Sequence, residues 1–248
     1  MSQAPRSVSE DVTMASKRIL NCVAFLGTTR SAQPFFKALP PRTGDRVLAY
    51  VQSAVTSVNE ASPDVELSIT VIDPIDYPSA TNLCTNDGNP TYYHTMDMTT
   101  LAPDLQKLVG LVEAADCFLV VCPEYNHTIP PALTAIMNQV GCSKYANKVS
   151  GTVTYSGFSS AGGGARAAVA LRPFLSELGC LPVSKQVIVP DANKVLDEAG
   201  EWVGEHKDGA AKTMADMLGQ LTYFADALAA KKEKVAEAKA AAEAEAKA

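Results

Sequence analysis

The run Cys117-Phe118-Leu119-Val120-Val121-Cys122 is apolar at every position and stops at Pro123. A strand with one wet face alternates polar and apolar residues, and this one does not. It reads as a strand covered on both sides, the condition of a parallel sheet with helices on each face. A polar, aromatic turn follows Pro123, and Pro130-Pro131 opens a segment that reads as a helix to Val140. Open α/β sheets place their ligands at a strand end of this kind, in a side-chain-rich turn before a helix.

The rest of the chain repeats the alternation. Residues 18–26 read as a first strand, ended by Gly27-Thr28-Thr29-Arg30. Val47, Leu48, Val51, Val55 and Val58 have the spacing of a helix face. Residues 65–72 read as a second strand. A Pro-, Asn-, Thr- and Tyr-rich stretch, 73–100, is long for a loop without structure of its own, which marks it as functional or disordered. A helix over 101–115 carries Leu105, Leu108, Val109 and Val112 on one face. Residues 148–155 read as a fourth strand. Gly162-Gly163-Gly164 leads into a helix with Ala168, Leu171, Leu175 and Leu178 facing in, and Pro173 is expected to kink it. Residues 181–189 read as a fifth strand. A last helix is expected from about Asp208, with Met214, Leu218, Leu221, Ala225 and Leu228 inward. Five apolar strands alternating with helices give a doubly wound five-stranded parallel sheet in three α/β/α layers, with right-handed crossovers.

This organisation gives three parts. Residues 1–17 are a Ser-rich arm, 18–228 the domain, and 229–248 a tail of Ala, Lys and Glu. The tail has high helix propensity and Glu243/Lys247 spacing for an ion pair, but no bulky apolar face. It reads as an exposed extension of the last helix.

Composition narrows the function classes. A net charge of -6 and a pI near 5.1 argue against general nucleic-acid binding. No apolar run approaches the ~20 residues of a membrane-spanning helix, and no signal-peptide core precedes the first strand. The six cysteines form no CxxC pair, and Cys22, Cys117 and Cys122 lie in strand-like runs as small hydrophobes. That suits a reducing compartment, so the expectation is a cytoplasmic protein without a disulfide framework or metal site.

Three loops carry chemistry. Gly27-Thr28-Thr29-Arg30 at a strand end is a phosphate cradle: glycine allows close approach, hydroxyls and amides donate, and arginine pairs the dianion. Both the dinucleotide Gly-x-Gly-x-x-Gly and the Walker Gly-Lys-Ser/Thr endings are absent, which fits a mononucleotide. Residues 124–128 form the second loop. Residues 156–166, with three successive glycines at the start of a helix, let backbone approach a flat ligand and are expected to offer free helix amides.

Taken in order, these loops resemble the NADPH-dependent FMN reductase family of flavodoxin-like fold. Gly27-Thr28-Thr29-Arg30 is similar to its Gly-Ser-x-Arg phosphate loop. Pro123-Glu124-Tyr125-Asn126 with Ile129-Pro130 resembles its flavin-edge loop. Gly163-Gly164-x-Arg166-Ala167 with Leu171-Arg172 looks like its Gly-Gly-x-Arg-Ala pattern. Arg42-x-Gly44-x-x-Val47 resembles the family's helix entry, but residues 31–41, opening on Ser31 and ending at Pro41, intervene as an insertion. That makes Arg30 the better phosphate ligand than Arg42.

The resemblance implies FMN as cofactor and NAD(P)H as co-substrate, with a quinone or similar acceptor reduced in a ping-pong cycle. The implied cofactor contacts are Gly27, Thr28, Thr29, Arg30, Pro123, Glu124, Tyr125, Asn126, Ser156, Gly157 and Gly163. It also implies a homodimer or homotetramer. Nothing nominates a catalytic side chain. His127 is expected to bond or face solvent rather than donate a proton, and Arg166 is open to either a ligand or an acid. Two other readings stand beside this one: an FMN electron carrier, and an interaction protein on the same fold.

Overall fold

The computed structural model describes residues 16–29, 42–81, 98–157 and 159–246. Arg30, the insertion at 31–41 and all but the last two residues of the arm lie outside them, as does the middle of the 73–100 stretch.

Strand β1 (Arg18–Leu26) feeds α1 (Thr43–Ala61) and β2 (Val65–Ile72). A 3-10 turn (Pro74–Asp76), α2 (Pro78–Thr81) and a second 3-10 turn (Met98–Thr100) precede α3 (Pro103–Ala114). Then come β3 (Cys117–Pro123), α4 (Pro131–Asn138), α5 (Cys142–Tyr145), β4 (Val149–Tyr155) and α6 (Ala165–Glu177). Two short strands, β5 (Leu181–Pro182) and β6 (Val187–Val189), lead to α7 (Ala192–Val195) and α8 (Lys207–Glu245).

All pairings are parallel, and the order is β2-β1-β3-β4, with both β5 and β6 on the far side of β4. This is the flavodoxin-like sheet. β1 and β3 are direct neighbours, with Leu26 opposite Val121, so the loops after them open at the switch point.

The expected fifth strand is interrupted. Leu181 N donates to Lys148 O and Val183 N to Ser150 O (both 2.9 Å), which leaves Pro182 with its ring nitrogen toward the open edge, and the pairing lapses over 184–186 before β6 resumes it. Side chains fill that gap. Gln186 Nε2 donates to Thr152 Oγ1 (3.2 Å) and to Ala168 O (2.9 Å), and Arg172 Nη2 donates to Ser184 O (2.6 Å).

Pleating decides what the helices cover. In β3, Cys117, Leu119 and Val121 face one side and Phe118, Val120 and Cys122 the other, all fully buried. The first set packs with α1 and α8, through Val47, Val51, Met214, Met217, Leu218 and Leu221. The second packs with α3, α4 and α6, through Leu108, Val112, Leu133, Ile136, Leu171 and Leu175. Cys22, Cys117, Cys122 and Cys180 are buried free thiols, and Cys142 is exposed. Helix α6 continues through Pro173 to Glu177. Helix α8 keeps its form to Glu245, but its last buried residue is Ala225.

Candidate active site

The ring loop is a two-residue hairpin. Tyr125 N donates to Thr128 O (3.1 Å) and Thr128 N to Tyr125 O (2.9 Å). Asn126 and His127 between them have φ of 49° and 64°. Positive φ at both central residues is a type I′ turn, which asparagine tolerates and histidine adopts at some strain. The turn's own bonds use Tyr125 and Thr128. The N–H groups of Asn126 and His127, at the crest, have no partner among the described residues. Glu124 N is occupied, donating to Tyr155 O (2.9 Å). Pro123 closes β3, paired with Tyr155.

Consecutive side chains tie this loop to both neighbours. Tyr125 OH lies 2.9 Å from Thr28 Oγ1 of the phosphate loop. Glu124 turns the other way, and its carboxylate is 1% exposed. Oε2 accepts from Arg166 N (3.0 Å) and Ala167 N (3.4 Å), and Oε1 accepts from Arg166 Nη1 (3.1 Å). His127 Nδ1 is 3.1 Å from the same oxygen, with its ring 64% exposed. Burial pushes the Glu124 carboxyl up, but the bonds from His127, Arg166 and the two backbone N–H groups outweigh it and hold the carboxyl below its ordinary value. The amides opening α6 are therefore not free, contrary to the expectation from the glycines. Arg166 pairs an acid, and His127 bonds one while facing solvent.

The phosphate loop is close-packed. Thr28 is buried and Thr29 exposed. A Cβ on Gly27 would come within 3.1 Å of Val121 O, and one on Gly44 within 2.7 Å of Thr28 Cγ2 and 2.8 Å of Tyr155 OH. Glycine at 44 thus lets the first turn of α1 press against Thr28 despite the insertion. Arg42 precedes that turn. Its Nε donates to Asp45 Oδ1 (2.9 Å), and Nη2 bonds Asp73. Among the described residues Nη1 is buried without a partner. The bonds to Asp45 and Asp73 hold the guanidinium well above its ordinary range, against burial.

The third side is the end of β4. Ser156 is buried, with N bonded to Val189 O (3.2 Å) and O accepting from Ala192 N (2.8 Å). Gly157 lies against Asn193, whose Oδ1 accepts from Thr43 Oγ1 of α1 (2.5 Å). Gly163, with φ 71°, faces Ile188 and Pro190. A Cβ on Gly164, whose φ is 94°, would come within 2.7 Å of Tyr155 N. Asn193 was not singled out from sequence, although Asp191-Ala192-Asn193 after an apolar strand is a turn signal at a sheet's ligand end. Tyr155 also escaped notice. Its hydroxyl sits beneath Gly44, and burial, then Tyr125, pushes the phenol well up. Burial does the same to the Cys122 thiol. Neither is a proton source near neutrality.

Among the described residues no cluster of His, Cys, Asp or Glu could hold a metal ion, and no helix is long and apolar enough to cross a membrane.

Comparison with known proteins agrees with this geometry. The model of the family described as NADPH-dependent FMN reductase matches residues 21–194. No curated protein matches by sequence. Among solved structures, the chain is similar to FerB, a flavoenzyme NAD(P)H:(acceptor) oxidoreductase from Paracoccus denitrificans, at TM-score 0.57 and 14% identity over 84% of this chain and 97% of that one. It is similar to an oxidoreductase from Corynebacterium diphtheriae at TM-score 0.56 and 14% identity, covering 83% and 96%. It is also similar to RosB bound to 8-demethyl-8-formylriboflavin-5'-phosphate, at 0.55 and 15%, covering 90% and 87%. The chain belongs to the NADPH-dependent FMN reductase family. Membership carries FMN as cofactor and NAD(P)H as co-substrate. The residues present fit that cofactor: a glycine-lined first turn of α1 and, without partners among the described residues, the buried Arg42 Nη1 and two amides at the ring loop crest.

Proposed function

We propose that this member of the NADPH-dependent FMN reductase family is an NAD(P)H:quinone oxidoreductase, in which NAD(P)H and the acceptor occupy one crevice in turn. The observation that carries this reading is the convergence of three loops at the β1/β3 switch point, with N–H donors at the crest of the middle one. When bound, FMN supplies the redox chemistry, taking a hydride from NAD(P)H and giving two electrons to the quinone.

The chain's own residues bind and orient. Gly27, Thr28, Thr29 and Arg30 would hold the phosphate, with Arg42 Nη1 a further donor at the start of α1. Asn126 N and His127 N would meet the pyrimidine edge of the ring, where reduction adds negative charge. Donors fixed in advance stabilise that charge without reorganising. Pro123, Glu124, Tyr125, Ser156, Gly157 and Gly163 would wall the crevice. Among the described residues no side chain is poised as a general acid, so the protein contributes position and electrostatics. Residues 18–228 form the catalytic unit, which works as a homodimer or homotetramer in the cytoplasm, and 229–248 are an accessory tail.

The test is an anaerobic titration of the purified, FMN-loaded protein with NADPH, followed by a benzoquinone. The reading requires the flavin absorption to bleach with one equivalent of NADPH and return with one of quinone. Steady-state rates should give parallel double-reciprocal lines. A protein that binds FMN but is not bleached by NADPH or NADH is an electron carrier instead.

A further inference from the structure

We propose that Glu124 is a positioning residue of the flavin site: its carboxylate plugs the N-terminus of α6 and so fixes the ring loop against the glycine loop. The inference rests on the reading that this crevice holds FMN.

A helix start leaves backbone N–H groups unpaired, and the macrodipole there favours an anion. At α6 two of those N–H groups point at Glu124 Oε2, and the Arg166 guanidinium closes on Oε1. The carboxylate is almost wholly buried, while Arg166 is 51% exposed and His127 64%. The buried partner is therefore the carboxylate, and the Arg166 and His127 side chains close over it from outside. A buried carboxylate is tolerable only with this many donors. Arg166 and Ala167 supply three of them, all from the start of α6, so Glu124 cannot move without unplugging α6.

The position in sequence gives the clasp its purpose. Successive side chains leaving β3 point to opposite sides. Tyr125 goes to Thr28 and Glu124 to α6, so the crest amides of Asn126 and His127 hang between two anchors. Gly164 allows the contact. At its φ of 94° an added Cβ would lie 2.7 Å from Tyr155 N, so only glycine lets the helix start settle this close onto the end of β4. Charge matters beyond shape. Arg166 and the helix end balance Glu124, and without the carboxylate a positive excess remains beside the ring, favouring the reduced flavin.

The test uses Glu124→Gln, Glu124→Ala and Arg166→Ala in the full-length protein, with amide hydrogen exchange on the flavin-free form and titrations with FMN and riboflavin. In Glu124→Ala, exchange at Arg166 and Ala167 should accelerate at least tenfold while amides of β1 and β3 stay unchanged. Glu124→Gln, which keeps the shape, should lie between it and the wild type, and Arg166→Ala should follow the same direction more weakly. FMN and riboflavin should weaken alike, by about tenfold, because the ring side is loosened and the phosphate side is not. In Glu124→Gln reduced FMN should gain about tenfold over oxidised FMN, which is a rise in midpoint potential of about 30 mV for two electrons. Unchanged exchange at the α6 start, or a loss confined to FMN with riboflavin unaffected, overturns the proposal, as does an unchanged potential. A wild-type protein that binds neither flavin overturns the functional reading and the flavin role with it, while the exchange result still decides whether the clasp exists.

Discussion

The ring loop and the second half of α8 invert the usual ranking of order. One is a polar turn with two residues in the left-handed region, and the other is regular helix to Glu245. Yet the turn is tied on both sides by Tyr125 and Glu124. Past Ala225 only Leu228 and Ala229 are half-buried against the core, and past Ala230 the one large apolar residue, Val235, is exposed. The helix's ties to the body there are surface pairs, such as Arg18 with Glu233 at 2.6 Å. Backbone regularity comes from local propensity, which alanine supplies in the tail without help. Anchoring comes from desolvated partners. The sharpest way to break the comparison is to make equivalent changes in both regions and find equal costs.

The largest effect is expected at Gly164. Alanine there meets a φ of 94° and places Cβ 2.7 Å from Tyr155 N, so helix and strand must separate. Left-handed strain alone costs ~1–2 kcal/mol, and overpacking against backbone adds ~1–3 kcal/mol. Denaturant melts of Gly164→Ala should show a loss of about 3 kcal/mol or more. A loss under ~1 kcal/mol would mean that the glycine loop is not seated on β4 as described.

A smaller loss comes with acid. The Glu124 carboxyl is held below its ordinary value in the folded chain, so its pairing contributes stability above the unfolded carboxyl range. That contribution disappears as pH falls through the lower folded value. Melts between pH 6 and pH 3 should fall more steeply for the wild type than for Glu124→Gln. The tail's Lys239/Glu243 pair, exposed and 3.9 Å apart, should give no such difference when Glu243 is changed to Gln.

How legible was all this in the chain? β3 could be read because a fully apolar run leaves no alternative pattern, and β4, although it carries buried Ser150, Thr152 and Thr154, also falls within a residue of its expected ends. The fifth strand misled because its ladder lapses at 184–186, where Gln186 and Arg172 side-chain bonds take over, while its composition stays strand-like. Loop chemistry was legible as residue type but not as partner. Nothing in one sequence says that the Glu124 side chain, 42 positions away, will occupy the amides of Arg166. The Asn193 contact with Thr43 is likewise a product of the tertiary path of α7.

Removing the tail should matter little. Truncation after Ala230 deletes Glu233 and the bare helix but leaves Met214, Met217, Leu218, Leu221 and Ala225 in place. Exposed pairs contribute ~0–1 kcal/mol, so the melting temperature should shift by no more than ~2–4 °C. Bound FMN per chain should equal that of the full-length protein. Loss of FMN on truncation would put the tail among the anchored parts and erase the contrast.

The smallest expected change is a gain. Gly219 lies in the anchored half of α8, yet a Cβ there would meet nothing within 4 Å. Glycine inside a helix costs backbone entropy that alanine does not, about 0.5–1 kcal/mol. Gly219→Ala should therefore raise stability by up to ~1 kcal/mol, in the direction opposite to Gly164→Ala although the chemical change is the same. Residue type is held constant across the pair, so only the environment differs: an open helix face against a close approach at positive φ. If Gly219→Ala destabilises the protein, that face of α8 is covered in solution, and the surface beside Tyr223 and Phe224 is an interface between chains. Sedimentation of the variant beside the wild type would then show a lighter species.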